Sequence, residues 1–316
     1  MQPACYTGPV NIRQLHYFLQ IAESKSFTRA AAVLHVAQPA LSRSVRALED
    51  DLGVALFHRS ERGVVLTESG ELLRRRAADL IAGFAHVRDE VGAQARELRG
   101  EFTFGMPPSM QQMVTVPLIR AFRAEHPGVL LRFIEGISVA LSEGLQTGRI
   151  DIAVVAANEP LAALENEPLV SEAMYLAGPR RARLNASRAV SLERVARESL
   201  IVTLRPNSVR ALIESALAGV GRTLVPVLEA NATSVMLQMV AAGEGYTVLP
   251  YCAVHEALIG GRVSVAPVAD LRMTWTIAHS RERTLSRAGH ELARLLRQVA
   301  HDAIARGDWV SARLPV

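Results

Sequence analysis

Apolar residues recur every three or four positions along the first fifty residues, which is the spacing of helices that bury one face. The pattern predicts a first helix over residues 12–22, a second over residues 27–34 and a third over residues 38–52. Ala30 and Ala31 lie on the apolar face of the second helix, and side chains this small allow two helices to cross closely. Helices joined by so short a turn predict a helix-turn-helix.

The third predicted helix carries two different faces. Its apolar face is formed by Leu41, Val45, Leu48 and Leu52. The opposite face carries Gln38, Pro39, Ser42, Arg43 and Arg46, and the first helical turn tolerates the proline. Glutamine can bind adenine and arginine can bind guanine through two hydrogen bonds, and serine can contact bases or phosphate. This face is therefore predicted to contact DNA, with an ordinary solvent-exposed amphipathic helix as the alternative.

A short hairpin is predicted to follow the three helices. Strand-like segments at residues 56–59 and 64–66 flank a polar turn over residues 60–63. Arg59 and Arg62 at its tip would lie near phosphates or the minor groove, where arginine is favoured electrostatically. The alternative is a pair of solvated turn arginines.

One long helix is predicted from Glu68 to Leu98, with Thr67 as its N-cap. Its seam positions recur in alternating steps of four and three, as in a coiled coil. They are Leu73, Ala77, Leu80, Phe84, Val87, Val91, Gln94 and Leu98. The seam predicts pairing with a second helix, and packing within the same chain is the alternative.

Strand-like and helix-like segments alternate from residue 101 onward. The predicted strands cover residues 101–105, 129–135, 148–155, 200–203, 225–228, 246–249 and 272–278. The predicted helices cover residues 109–124, 138–146, a segment starting at 207, 233–242 and 286–305. This order predicts two α/β lobes.

Ligands of open α/β sheets bind at the carboxyl ends of strands, beside helix N-termini. The residues predicted to lie there are Ser109, Met110, Ile137, Ser138, Thr203, Asn207 and Ser208. We expect them to bind a small anion such as a carboxylate, with Ser109 and Thr203 facing one another across a cleft. The alternative is that Ser109, Ser138 and Ser208 only cap helices.

Composition adds little about partners. The 316 residues carry a formal net charge of +4, and the charges are spread along the chain, so overall charge is weak evidence for DNA binding. Cys5 and Cys252 are too few for a disulfide framework or a zinc site, and the nine histidines show no metal-binding spacing. We find no secretion signal and no apolar run of membrane-spanning length, so we expect a cytoplasmic protein without metal or cofactor.

The N-terminal residues resemble the signature of the LysR-type transcriptional regulators. The matching positions include Leu15-x-x-Phe18, Ser26-Phe27-x-x-Ala30-Ala31, Gln38-Pro39-Ala40-Leu41-Ser42, Leu56-Phe57-x-Arg59 and Leu66-Thr67-x-x-Gly70. One departure is Ala37, where many members carry a serine or threonine that could cap the third helix. Weaker matches at residues 148–153 and 242–250 extend the resemblance to the second half. Residues 98–155 look most like the nitrogen-assimilation-control branch.

The resemblance implies an α/β protein made of a winged helix-turn-helix at residues 11–67, a dimerising linker helix at residues 68–99 and an effector-binding domain at residues 100–316. That domain would resemble periplasmic binding proteins, with residues 100–170 and 272–316 in lobe I, residues 171–271 in lobe II and two crossover strands between them. The implied DNA contacts are Ser26, Thr28, Gln38, Pro39, Ser42, Arg43, Arg46, Arg59 and Arg62. The implied dimer contacts are Leu73, Leu80, Phe84, Val87 and Val91. The partners would be an interrupted palindrome in a promoter, a small effector and a second subunit, with dimers often joined into tetramers.

A cytoplasmic two-lobed enzyme or solute-binding protein, whose N-terminal helices serve only assembly, is the rival class. The sequence contains no G-x-S-x-G and no P-loop, and Gly243-x-Gly245 lacks the third glycine of a dinucleotide-binding loop. The expected function is therefore an effector-controlled DNA-binding regulator and not an enzyme.

Overall fold

The structure is a computed structural model that describes residues 11–60, 63–91, 98–157 and 163–315. The chain forms two compact units, and the division between them falls after the long helix that follows the wing. Each unit has its own hydrophobic core.

The first unit is a winged helix-turn-helix, as predicted. Its elements are α1 (Ile12–Ser24), α2 (Phe27–Val33), α3 (Gln38–Leu52), β1 (Phe57–Ser60), β2 (Gly63–Leu66) and α4 (Glu68–Val91). The core contains the predicted apolar stripes of the three short helices, among them Phe18, Ala30, Leu41, Val45 and Leu48. Leu52 is an exception to the prediction: it lies in the last turn of α3 and is exposed, because Gly53 in the left-handed conformation ends the helix there.

Polar side chains cap three of the four helices described in this unit. Asn11 and Gln14 form a reciprocal capping box at α1, and Ser26 caps α2. Ala37 occupies the N-cap of α3 without a side-chain hydrogen bond, as expected from its departure from the family pattern. Thr67 Oγ1 accepts the Gly70 N–H at 2.9 Å, which confirms it as the N-cap of α4.

The wing is tied to the recognition helix by one carboxylate. β1 and β2 pair antiparallel from Phe57–Leu66 to Ser60–Gly63. Glu49 Oε1 on α3 accepts the backbone N–H groups of Leu56 at 2.8 Å and Phe57 at 3.2 Å. This fixes the start of β1 relative to α3.

The second unit is built on a six-stranded mixed sheet in the order β4-β3-β5-β10-β6-β9 and on a parallel pair, β7 and β8. Its strands are β3 (Gly100–Met106), β4 (Val129–Glu135), β5 (Ile152–Ala156), β6 (Leu164–Pro179), β7 (Leu200–Val202), β8 (Pro226–Glu229), β9 (Thr247–Pro250) and β10 (Val263–Ser280). Its helices are α5 (Val116–Glu125), α6 (Ser138–Thr147), α7 (Leu192–Val195), α8 (Ser208–Gly219), α9 (Thr233–Ala242), α10 (Tyr251–Ile259) and α11 (Arg287–Ala305).

Two long antiparallel strands join the lobes of this unit. β10 pairs with β6 along nearly its full length, with β5 at its C-terminal end. β6 pairs with β9 at its own C-terminal end. The first lobe is thus organised on β3, β4 and β5, the second on β7, β8 and β9, and one continuous apolar core passes through both.

Several features of this unit differ from the sequence prediction. The predicted helix at 109–124 is divided into a 3₁₀ turn at Pro108–Met110, a π-helical turn at Gln111–Thr115 and α5, because Pro117 has no N–H for a continuous α-helical ladder. The periodicity did not predict β6, α7 or α10, and the two crossover strands implied by the family resemblance were not located in the sequence. β6 forms through pairing with β10, about a hundred residues further along the chain, which local periodicity does not report.

Among the described residues, no helix has both the length and the apolar character needed to cross a bilayer.

Candidate DNA-binding and effector-binding sites

The outer face of α3 presents the predicted recognition residues to solvent. Gln38, Pro39, Arg43 and Arg46 are exposed, and Ser42 is half-buried. Among the described residues, no hydrogen bond or ion pair engages the side chains of Gln38, Arg43 or Arg46. The donors of this face are therefore free for an external partner, whereas the opposite face is anchored by Leu41, Val45 and Leu48.

Ser26 and Thr28 differ from one another in their surroundings. The Ser26 hydroxyl accepts the Arg29 N–H at 3.3 Å as the cap of α2, so this structure already gives it a structural partner. Thr28 is exposed in the first turn of the same helix.

The wing tip is only partly described. Arg62 lies outside the described residues. Arg59 lies in β1, and its side chain is outside what the structure describes, so both remain predictions from the sequence.

The predicted seam residues of helix α4 lie in two different environments. Ala77 is fully buried in the winged-helix core of its own chain, and Leu73 packs against that core. Leu80 and Phe84 are 59% and 55% exposed. Leu80 and Phe84 are therefore the exposed members of the predicted dimer contact among the described side chains, and the side chains of Val87 and Val91 lie outside the description.

Thr203 has the most distinctive position in the predicted cleft. It directly follows β7, it is buried, and its Oγ1 has no hydrogen-bond partner among the described residues. Its carbonyl oxygen accepts a hydrogen bond from Arg210 Nη1 at 2.9 Å. An unsatisfied buried hydroxyl is costly, so it is available to a ligand or an ordered water.

The other predicted effector residues form hydrogen bonds, are buried, or occupy a helix-cap position. Asn207 caps α8 by accepting the Val209 and Arg210 N–H groups, and Ser138 Oγ accepts the Ala156 N–H at 3.0 Å, which ties α6 to the end of β5. Ser208 is buried in the first turn of α8, and Ile137 occupies the N-cap position of α6. Met110 is fully buried in the hydrophobic core, which takes it out of the predicted effector set.

Sequence reasoning did not find the Arg210 ion-pair cluster. Arg210 is 8% exposed, and its guanidinium donates to Glu214 Oε1 at 2.7 Å and to Glu229 Oε1 at 2.8 Å. Burial opposes ionisation of Glu214, but hydrogen bonds from Arg210 and Arg205 outweigh it and lower the pKa of Glu214. The cluster fixes the carbonyl of Thr203 from within the second lobe.

A second missed group surrounds the carboxylate of Glu172 on β6. Glu172 accepts hydrogen bonds from the Cys252 backbone and thiol and from the indoles of Trp275 and Trp309. Burial raises the pKa of Glu172, and the Trp309, Trp275 and Cys252 hydrogen bonds act against that rise. Burial also raises the pKa of the Cys252 thiol, so Cys252 is a neutral donor to the carboxylate.

The sequence did contain a signal for Glu172. Strand alternation places it on the same face as Val170 and Met174, which are buried, and a lone carboxylate among apolar neighbours marks a position that needs internal partners. The 3₁₀ turn that contains Ser109 packs against α10, the helix that carries Cys252.

One group of potential metal ligands lies elsewhere, at the end of α5. Ligand atoms of Glu125, His126 and Glu291 lie within 4.8 Å of one another. Arg294 donates to Glu125 Oε2 at 2.6 Å and to Glu291 Oε2 at 2.7 Å. Because the arginine already compensates both carboxylates, we interpret the group as an ion-pair cluster.

The fold and these surfaces define a class of protein: a winged helix-turn-helix with an unengaged polar recognition face, joined in one chain to a two-lobed α/β domain. Comparison with known families agrees. Residues 12–71 match the family described as "Bacterial regulatory helix-turn-helix protein, lysR family", and residues 95–301 match "LysR substrate binding domain". The chain belongs to the LysR family of transcriptional regulators, with a DNA-binding and an effector-binding domain.

Individual relatives are similar over much or nearly all of the chain. The nitrogen assimilation regulatory protein nac of Klebsiella aerogenes is 34% identical over 66% of this chain and 67% of its own length. The HTH-type transcriptional regulator BbuR of Bordetella bronchiseptica is 29% identical over 96% of this chain and 94% of its own. The structure of a full-length OxyR variant from Pseudomonas aeruginosa covers 93% of this chain and 95% of its own, with 25% identity and a TM-score of 0.75.

Proposed function

We propose that this regulator binds, as a dimer, an interrupted palindrome in a promoter, and that a small carboxylate bound between its lobes changes that binding. The observation that carries the DNA half is the exposed face of α3, where Gln38, Arg43 and Arg46 have no partner among the described residues. Two such helices, one from each subunit, would read two major-groove half-sites about one helical turn or a multiple apart.

The solved structure of full-length CbnR is a complex with its target DNA, and its fold is similar to this chain at a TM-score of 0.63 and 21% identity. This similarity supports a shared fold. The proposed DNA contacts of the present chain are inferred from the exposed residues of its own α3. Pairing would use Leu80 and Phe84 of α4, which are large, apolar and exposed on one side of the helix. We infer that dimers associate further into tetramers and that the protein acts in the cytoplasm, without a catalytic role.

The effector half rests on Thr203 and Ser109. The Thr203 hydroxyl is buried without a partner among the described residues, and Ser109 lies in the turn that follows β3. A carboxylate could accept charge-assisted hydrogen bonds from both hydroxyls and from helix N-terminal amides. We expect the ligand to be small, because it must fit between two lobes that share one core.

Footprinting of the DNA upstream of the protein's own gene, with and without pools of small carboxylates, tests both halves. We expect a protected interrupted palindrome whose protection changes with at least one pool. Protection no better than on random DNA would overturn the proposal of promoter recognition.

The effector residues are tested with the compound that this screen identifies. Ser109→Ala and Thr203→Val should weaken its binding, measured by calorimetry, and leave effector-free DNA binding nearly unchanged. Ser187→Ala, which changes an exposed residue elsewhere in the second unit, serves as the control. Unchanged affinity in both test variants would exclude the proposed effector site.

A further inference from the structure

Glu172 is a buried carboxylate surrounded by hydrogen-bond donors. Its Oε1 accepts the Trp275 indole N–H at 2.6 Å and the Cys252 thiol at 3.1 Å. Its Oε2 accepts the Trp309 indole N–H at 2.9 Å and the Cys252 backbone N–H at 2.9 Å. Indole and amide N–H groups only donate, so three of these four contacts require an acceptor oxygen on Glu172.

The donors come from different parts of the unit. Cys252 lies in the first turn of α10, which directly follows β9 of the second lobe and also contacts the turn that contains Ser109. Trp309 follows α11, which packs against α5 of the first lobe. Glu172 and Trp275 lie on the crossover strands β6 and β10. One carboxylate is therefore bonded to the first lobe, the second lobe and the connection between them.

We propose that Glu172, with Cys252, Trp275 and Trp309, forms an interlobe latch that holds α10 against Trp309, and that the turn containing Ser109, which packs against α10, acts on this latch. A movement between the lobes would separate donors that share one carboxylate, and each separated buried group would lose its only partner in this cluster. The carboxylate thus favours one interlobe arrangement. The role of Ser109 rests on the proposed effector site, because an effector bonded to its hydroxyl would bind directly beside α10.

The tryptophans of the chain serve as a fluorescence probe of the latch. The chain contains two tryptophans, and both donate to Glu172. Trp275 is 2% exposed and Trp309 is fully buried. Tryptophan emission of the full-length protein therefore reports on the latch alone, and a soluble quencher such as acrylamide should reach the indoles poorly while the latch is closed.

The primary test replaces Glu172 with glutamine in the full chain. The amide NH₂ cannot accept from two of the donors, so we expect native-state opening, with acrylamide quenching raised about threefold or more and emission shifted to longer wavelength. Glu167→Gln on the same strand is the matched control, because Glu167 is exposed and paired with Arg297. Far-ultraviolet circular dichroism confirms that each variant is folded. Quenching in folded Glu172→Gln equal to wild type would overturn the latch.

Substitutions of Cys252 give an independent test that leaves the carboxylate in place. Cys252→Ala removes one donor and should raise quenching, whereas Cys252→Ser retains an O–H donor and should restore the wild-type value. A role in packing alone predicts that serine, the more polar residue, is no better than alanine. Equal quenching in Cys252→Ser and Cys252→Ala would therefore overturn the latch. This test remains decisive even if Glu172→Gln does not fold.

The quenching measurements on the Glu172 and Cys252 variants need no effector, so they test the latch independently of the proposed function. Succinate and citrate then serve as probe carboxylates: we expect one of them to shift wild-type tryptophan emission, and Ser109→Ala to abolish the shift. A shift that persists in Ser109→Ala removes Ser109 from the latch mechanism. No shift in wild type with either probe counts against a carboxylate at Ser109, while the quenching of the Glu172 and Cys252 variants still decides the latch.

Discussion

Single residues on the recognition face of α3 are expected to contact individual base pairs. Gln38 lies in the first helical turn and is exposed, where a side chain can reach a base edge in the major groove. Gln38→Ala should weaken binding to the operator by about 1 to 3 kcal/mol and relax specificity at one base pair. Gel-shift titration against the operator, its single-base variants and scrambled DNA measures this.

Arg43→Ala should behave in the same way at a different base pair. Arg120→Ala is the matched control, because it removes the same charge from an exposed position in the other unit. Equal losses on operator and scrambled DNA would mean that Gln38 or Arg43 contacts the phosphate backbone instead of a base.

Arg210 and Arg205 allow a direct comparison of a buried and an exposed arginine on one partner. Both donate to Glu214 Oε1, but Arg210 is 8% exposed and Arg205 is 69% exposed. Arg210→Met should lower the free energy of unfolding by about 1.5 to 3 kcal/mol, because it leaves Glu229 and the Thr203 carbonyl without this donor and Glu214 with the exposed Arg205.

Arg205→Met should cost less than about 1 kcal/mol, as for other exposed ion pairs. Urea unfolding followed by tryptophan emission reports on this unit, since both tryptophans lie in it. Similar losses in the two variants would contradict a structural role for burial of Arg210.

At the scale of elements, α4 serves two purposes along its length. Its Leu73 and Ala77 stabilise the winged helix of the same chain, and Leu80 and Phe84 remain exposed a turn or two further on. Introducing Leu80→Glu and Phe84→Glu together should dissociate the dimer, because the charges would be buried without partners in a paired seam. Sedimentation velocity measures the change.

Leu72→Glu provides the control, since Leu72 is exposed on α4 but does not belong to the seam. A double variant that remained a dimer with normal operator affinity would place the dimer contact elsewhere.

At the scale of the whole molecule, the two units have separate apolar cores. The core of the first unit is formed by residues between Leu15 and Ala77, and that of the second by residues between Phe102 and Ala312. We expect residues 98–316 to fold as an independent fragment with the tryptophan emission and urea midpoint of the full chain. A fragment whose emission resembles that of unfolded protein would show that its core needs the first unit.

The sequence by itself determined most of the first unit. Its helices, caps and hairpin are mostly local structures, in which the hydrogen bonds join residues close in sequence and the apolar spacing directly reports the buried face. Several segments of the second unit, such as β4, α6 and α9, were likewise predicted from their own periodicity. The family resemblance added the crossover between the lobes, although it did not locate β6.

Only the tertiary structure decided which polar residues of the second unit have internal partners. Glu172 meets Cys252, Trp275 and Trp309 across eighty to more than a hundred residues of sequence, and no local pattern encodes such a meeting. The same holds for Met110, which the sequence assigned to a ligand and the fold buries in the core. Burial and hydrogen-bond satisfaction depend on which distant segments pack together, so they are properties of the assembled sheet and not of any one segment.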